Sequence, residues 1–250
     1  MPKALDPVLK NEYMKRVYQK LGKRRPYVER KLTKHYRVKQ LEENGGWLVL
    51  NNYSGPAIPK EEWENLEYLT YDSDPDNEFA PLASSTGKVE LAPFWDNGKT
   101  DKDGVWTSNA KKAPTIVKWV ESVGANFGRL QLLKQSPSSV REARYAVHLD
   151  DNNRLNPEPD GWVVRVWLEL SNDPDSYMIL RQNEFNRKTE ARISMPQGRQ
   201  LIVDSERLFH AVANGSGRPR YALIASFESG PALEKWIKSQ GVVDWKSPKL

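Results

Sequence analysis

From residue 129 onward the chain reads as a close succession of short strand signals, at 129–133, 143–149, 162–170, 177–181, 189–193, 200–203, 209–212 and 221–227, separated by Gly, Pro, Asn and Asp. Period-2 apolar runs of this length, punctuated by turn residues, predict antiparallel strands. That many short strands in so little chain suit two sheets packed face to face. The fold class expected is mainly β: a double-stranded β-helix, or jelly roll, with flanking α-helices.

The flanks carry the helical signals. Residues 7–21 place Val8, Leu9, Tyr13, Val17, Tyr18 and Leu21 near the i, i+3, i+4 steps of an amphipathic helix that Gly22 stops, and 28–41 continues a lysine-rich helical reading. His35 falls in that stretch and reads as a solvated helix residue. Pro114 opens a helix through Ile116, Val117, Val120 and Val123 that Gly124 ends, and the tail at 231–240 is helical with Leu233, Trp236 and Ile237 on one face. Between them lie Trp47-Leu-Val-Leu, a proline-rich loop, and an irregular acidic region to about Asp103. The domain division expected is a basic helical extension over 1–45 and a single jelly-roll domain over 46–250, its core about 115–228. A chain of 250 residues, 38% apolar and 10% aromatic, buries one sizeable core on this plan.

Charge follows the same division. Residues 1–45 hold 13 Lys and Arg against 5 Asp and Glu, so the net charge of +5 belongs to the extension and the remainder is slightly acidic. A basic helical face of this kind packs on the barrel with its charges in water, or it attracts something acidic such as nucleic acid. There is no cysteine, which removes disulfides and thiolate metal sites. No run approaches the ~18 apolar residues of a membrane span and the N-terminus lacks the apolar core of a signal peptide, so the expectation is a cytoplasmic protein without membrane contact.

Chemistry is concentrated in two segments. His148-Leu-Asp150 places an imidazole and a carboxylate two residues apart, on one side of an extended segment, and His210 supplies a second imidazole from a distant strand. Two His and one carboxylate bind a divalent iron on one face and leave the opposite positions open. Two of the three histidines are used. After His210 the chain passes through Asn214-Gly-Ser-Gly-Arg-Pro219 and returns at Arg220, which predicts a hairpin that brings Arg220 beside the metal strand. An arginine fork there suits the distal carboxylate of a bound diacid.

The order Arg129-Leu-Gln-Leu-Leu, His148-x-Asp150, Arg165-Val-Trp-Leu-Glu-Leu, Asp204…His210-Ala-Val-x-Asn214-x-Ser216…Arg220-x-x-Leu223 resembles the aspartyl/asparaginyl β-hydroxylase group of Fe(II)/2-oxoglutarate oxygenases, which includes proline hydroxylases. The resemblance covers roughly residues 115 to 228. It implies a cupin-like barrel with His148, Asp150 and His210 as iron ligands, Arg220 on the distal carboxylate of 2-oxoglutarate, and Arg165 facing the cosubstrate and substrate carboxylates. It implies a dioxygenase that consumes 2-oxoglutarate and O2, releases succinate and CO2, and hydroxylates an unactivated C–H bond of an amino acid, free or within a peptide or protein. Arg154, in the loop after the metal segment, is a candidate for the substrate carboxylate. Related halogenases carry a small residue at the position of Asp150, so the carboxylate points to hydroxylation; desaturation and ring formation share its chemistry. The competing readings are a jelly-roll binding module, and an oxygenase directed to nucleic acid by the basic extension.

Other motifs carry less. Asp72-Ser-Asp74-Pro-Asp76-Asn-Glu78 has the alternating acids of a calcium loop but lacks its glycine and its twelfth-position glutamate, and it reads as an acidic solvent loop. Asn52-Tyr-Ser54 and Asn214-Gly-Ser216 match glycosylation acceptors, which a cytoplasmic chain does not use. No glycine-rich phosphate loop and no nucleophile elbow is present.

Overall fold

The strands that were legible from apolar alternation form two facing layers. In the computed structural model, which describes residues 34–245, the order begins with α1 (Lys39–Glu43), β1 (Trp47–Leu50), α2 (Glu61–Glu64), β2 (Leu69–Tyr71), β3 (Asp74–Ser84) and β4 (Val105–Trp106). It continues with α3 (Pro114–Val123), β5 (Phe127–Gln135), α4 (Val140–Tyr145), β6 (Val163–Glu169), β7 (Ser176–Arg181) and β8 (Ala191–Ser194). The last elements are β9 (Gln200–Val203), β10 (Phe209–Asn214), β11 (Arg220–Glu228) and α5 (Pro231–Gln240). The large sheet has the order β1-β9-β6-β11-β5-β3-β2, with β4 on β3; the small sheet is β10-β7-β8. All pairings among these strands are antiparallel. An antiparallel bridge between His148 and His210 adds one more rung to the small sheet. This is the expected jelly roll.

Alternation along the central strands divides the core in two. On β6, Val164, Val166 and Leu168 turn to the outer face of the large sheet, where they meet Leu130, Leu132, Leu223, Ala225 and Phe227 beneath Ile116, Trp119 and Val120 of α3 and Leu233, Trp236 and Ile237 of α5. The intervening residue Trp167 faces inward, packed with Val49, Leu201 and Val203 from its own sheet and Met178, Leu180, Ile193 and Met195 from the small sheet side. Burying each such side chain contributes about 1.5–3 kcal/mol, and this fixes the register that determines which side chains reach the barrel interior. Gly124, with φ 70°, ends α3 as its position predicts. No helix among the described residues is long and apolar enough to cross a membrane.

Several elements differ from the sequence expectation. The run 143–149 is not a strand: Val140–Tyr145 is a helix, because Ser139 and Glu142 form a reciprocal capping box around its first turn. The acidic region is not a loop, since Asp74–Ser84 is an eleven-residue strand paired to β2 and β5 despite Pro75 and Pro81. β10 and β11 are not a hairpin. β10 pairs with β7 in the small sheet while β11 lies between β5 and β6 in the large one, so the 214–220 turn crosses between layers. His35 is buried, not solvated: its Nε2 donates to the Asn156 carbonyl at 3.0 Å and its ring stands edge-on to Trp162. Of the helix read at 28–41, the described part is helical only from Lys39, and the helix at 7–21 lies outside the described residues.

Candidate metal centre

His148, Asp150 and His210 converge. One ligand atom from each lies within 4.8 Å of the others. The two histidines exchange backbone hydrogen bonds, His148 N to His210 O at 3.1 Å and His210 N to His148 O at 2.9 Å, which places their rings 4.4 Å apart. Each imidazole is set the same way. Nδ1 of His148 donates to the Ala146 carbonyl at 3.0 Å, and Nδ1 of His210 to the Leu208 carbonyl at 3.2 Å. Because a carbonyl only accepts, Nδ1 carries a proton in each ring, which in the neutral imidazole leaves Nε2 its lone pair. Those Nε2 atoms face different oxygens of Asp150, each at 3.8 Å, longer than a hydrogen bond. Fixing the tautomer through a backbone carbonyl is the arrangement metal-ligating histidines use.

Asp150 is held from three directions. Its N–H donates to the Ser205 carbonyl at 2.9 Å, and its Oδ2 accepts from Nε of Arg165 at 3.2 Å. The loop that follows is tied to the turn between β9 and β10, through Asn152 to Ser205 and through Asn153 to the Glu206 carboxylate. Burial alone would raise the Asp150 pKa, but the Arg165 guanidinium and the two imidazoles outweigh it and hold the carboxyl well below its ordinary range. Burial, with His148 adding to it, pushes His210 down to about 4. Both groups are therefore in the ligand form at neutral pH. His148 is the accessible member, its side chain 53% exposed against 6% for His210.

Behind the triad the interior face of the large sheet carries buried polar side chains among its apolar ones. Arg165, Trp167 and Glu169 alternate along β6; their β11 partners in register are Ser226, Ile224 and Ala222, and Arg220 at the start of β11 pairs with Gln135 of β5. Trp167 lies 5.8 Å from His210, ring to ring. Arg165 also donates to Asn152 at 2.8 Å and stands 3.5 Å from the Asp101 carboxylate. Asp101 enters from a loop outside the barrel because Gly128 leaves room for it: a Cβ at Gly128 would stand 1.9 Å from the Asp101 carbonyl. The Asp101 carboxylate there accepts from the Arg129 N–H and the Ser226 hydroxyl.

Arg220 is fully buried. Its Nη2 donates to Glu169 at 2.5 Å and its Nη1 to Gln135 at 3.1 Å, while the Gln135 amide donates to the Val212 carbonyl, two residues beyond His210. Gln135 thus connects the arginine to the strand that carries the second histidine, in place of the hairpin the sequence suggested. Three buried donors on this inner face have no partner: Nη1 of Arg165, Nε1 of Trp167 and Nε of Arg220. Arg154 lies apart from this arrangement, exposed, with its guanidinium 5.0 Å over the Trp95 ring. Sequence reasoning missed Asp101 and Gln135 as site residues and quoted Trp167 and Glu169 only within a motif. The alternation Arg165, Trp167, Glu169 in an otherwise apolar strand was the available signal for the last two, whereas nothing local marks Asp101.

No protein-family model matches the sequence, and no curated protein matches it. Among solved structures the chain is similar to an oxidoreductase of the 2OG-Fe(II) oxygenase family from Burkholderia pseudomallei, with a TM-score of 0.50 and 13% identity over 78% of this chain and 94% of that one. It is also similar, at a TM-score of 0.43 and 14% identity, to a prolyl hydroxylase from Trichoplax adhaerens in complex with a hypoxia inducible factor peptide fragment, over 78% of this chain and 88% of that one. A Pseudomonas putida prolyl-4-hydroxylase gives 0.40 and 13% identity over 74% of this chain and 93% of that one. At such identities the likeness is one of fold.

Proposed function

We propose that this chain is an Fe(II)/2-oxoglutarate-dependent dioxygenase that hydroxylates an unactivated C–H bond of an amino acid, free or within a peptide or protein. The observation that carries the reading is the pair of imidazoles whose Nδ1 protons are tied to backbone carbonyls while both Nε2 atoms face the Asp150 carboxylate. Two nitrogens and one carboxylate suit Fe(II) and leave positions for a chelating 2-oxo acid and O2. Bound there, iron and 2-oxoglutarate supply the oxidising chemistry, with succinate and CO2 as co-products.

The chain's own residues hold and orient. His148, Asp150 and His210 are the proposed metal ligands, and Arg165 keeps Asp150 ionised and in place. The orphaned donors of Arg165, Trp167 and Arg220 fit a cosubstrate that only accepts hydrogen bonds, as a dicarboxylate does. Arg220, in the buried interior, is the proposed partner of its distal carboxylate, and Arg165 faces the cosubstrate with its free Nη1. Arg154, exposed and stacked over the half-buried Trp95, is proposed for the substrate side. The amino-acid substrate class rests on the sequence resemblance, and a carboxylate at position 150 favours hydroxylation.

The test is product analysis. Purified protein with Fe(II), 2-oxoglutarate and O2 is expected to form succinate and CO2, slowly without substrate and faster with the right amino acid or peptide, and Asp150→Ala is expected to form none. Succinate formation that Asp150→Ala leaves unchanged overturns the assignment.

A further inference from the structure

The guanidinium proposed to receive the cosubstrate is already shared with an acid. Glu169 and Arg220 meet at 2.5 Å with both side chains fully buried, and Gln135 occupies the other terminal nitrogen. The nitrogen of Arg220 left without any partner is Nε. A carboxylate that takes Nε at the edge of the fork comes to rest beside the one already bound. Two ionised carboxylates on one buried guanidinium repel each other strongly, and Glu169 has no exposed surface by which to leave.

Taking the dioxygenase reading as its premise, we infer that Glu169 makes recognition of the cosubstrate proton-coupled: the distal carboxylate of 2-oxoglutarate and Glu169 share Arg220, and Glu169 takes up one proton from solvent as they do so. The neutral carboxyl then donates its hydroxyl hydrogen bond, and the single positive charge of Arg220 is balanced by the single negative charge of the cosubstrate's far end. A pocket of this kind accepts a terminal carboxylate only together with a proton.

The surroundings favour the neutral form. Facing Glu169 are Arg220 from β11, the uncharged Ser171, and Asp173 from the loop after β6, whose carboxylate is itself bound by Arg218. Burial raises the Glu169 pKa and Asp173 raises it further; against Arg220 they bring it up to about 7. Proton uptake near neutrality therefore demands little free energy, and above that range it becomes progressively harder.

The experiment is calorimetric titration of 2-oxoglutarate into the anaerobic Fe(II)-loaded protein at pH 8, repeated in buffers of different ionisation enthalpy, which reads the number of protons taken up. Wild type is expected to take up about one proton, and its Kd for 2-oxoglutarate to rise by about tenfold per pH unit between pH 7.5 and 9. The near-isosteric Glu169→Gln is expected to take up about none and to bind with a Kd that is flat over the same range. Binding by wild type without proton uptake, or the same uptake in Glu169→Gln, overturns the inference and leaves the dioxygenase reading standing. If 2-oxoglutarate does not bind the folded, metal-loaded protein at any pH, both fail. The wild-type pH series alone decides the matter if the variant does not fold.

Discussion

Arg165 donates from Nε to Oδ2 of Asp150 at 3.2 Å, so the carboxylate of the candidate metal centre is held by a side chain from the middle of the large sheet. The same guanidinium bonds Asn152 and stands beside Asp101, which only a planar fork with several donors does at once. Its Cα partner is Ser226 of β11, and Ser226 in turn donates to Asp101.

Arg165→Lys keeps the charge and loses the geometry. A lysine offers one compact ammonium and does not serve Asp150, Asn152 and Asp101 together. Removing an outer partner of a metal ligand typically weakens metal binding by roughly 10–100-fold. Calorimetric titration with Mn(II) is expected to show a loss in that range with the protein still folded. An affinity equal to wild type contradicts the role given to Arg165.

Glu190 is the keystone of a separate cluster. Its fully buried carboxylate accepts from Arg144 of α4, Arg181 of β7 and Arg192 of β8. Burial would raise its pKa, and the three arginines overcome this and bring it down to about 2. Glu190→Gln leaves the arginines facing one another and is expected to lose roughly 3 kcal/mol at pH 7, a fall in Tm of about 6 °C or more. Since the folded pKa is below the unfolded value, the carboxylate's contribution is present above about pH 4.5 and is lost as pH falls towards 2. Thermal melts of both proteins are expected to converge over that window; a gap that does not narrow in acid contradicts the account.

The strands β5 to β11 were legible because short apolar runs between turn residues left little else for them to be. Gln200–Val203 has the bounds that the sequence predicts, and the helices at Pro114 and Pro231 start where proline sits at the first turn. The triad was legible because a His-x-Asp at strand spacing and a distant histidine encode shared chemistry. What was not legible depends on tertiary context. The strand Asp74–Ser84 contains two prolines and an acidic start, and is held as a strand by β5 alongside it. His35 is buried by Trp162 and Asn156, residues more than a hundred positions away. The pairing of Glu169 with Arg220 arises because β6 and β11 are neighbours, which a hairpin reading of 210–220 hides.

Gly128 is required by contact, not by an unusual backbone angle. A methyl group there meets the Asp101 backbone far inside van der Waals distance. Gly128→Ala is expected to displace the Asp101 loop and to cost at least about 2 kcal/mol, read as a Tm lower by roughly 4–8 °C. A variant as stable as wild type contradicts the close approach.

The proposed assignment is that three side chains hold iron and a buried arginine holds the cosubstrate. Its most direct test is anaerobic addition of Fe(II) and 2-oxoglutarate to the purified protein, followed by visible absorption for the charge-transfer band of the chelate. Wild type is expected to develop the band, His210→Ala and Asp150→Ala to lack it, and Arg220→Ala to need far more 2-oxoglutarate to reach it. No band in folded wild-type protein, or a band that Asp150→Ala leaves intact, contradicts the account.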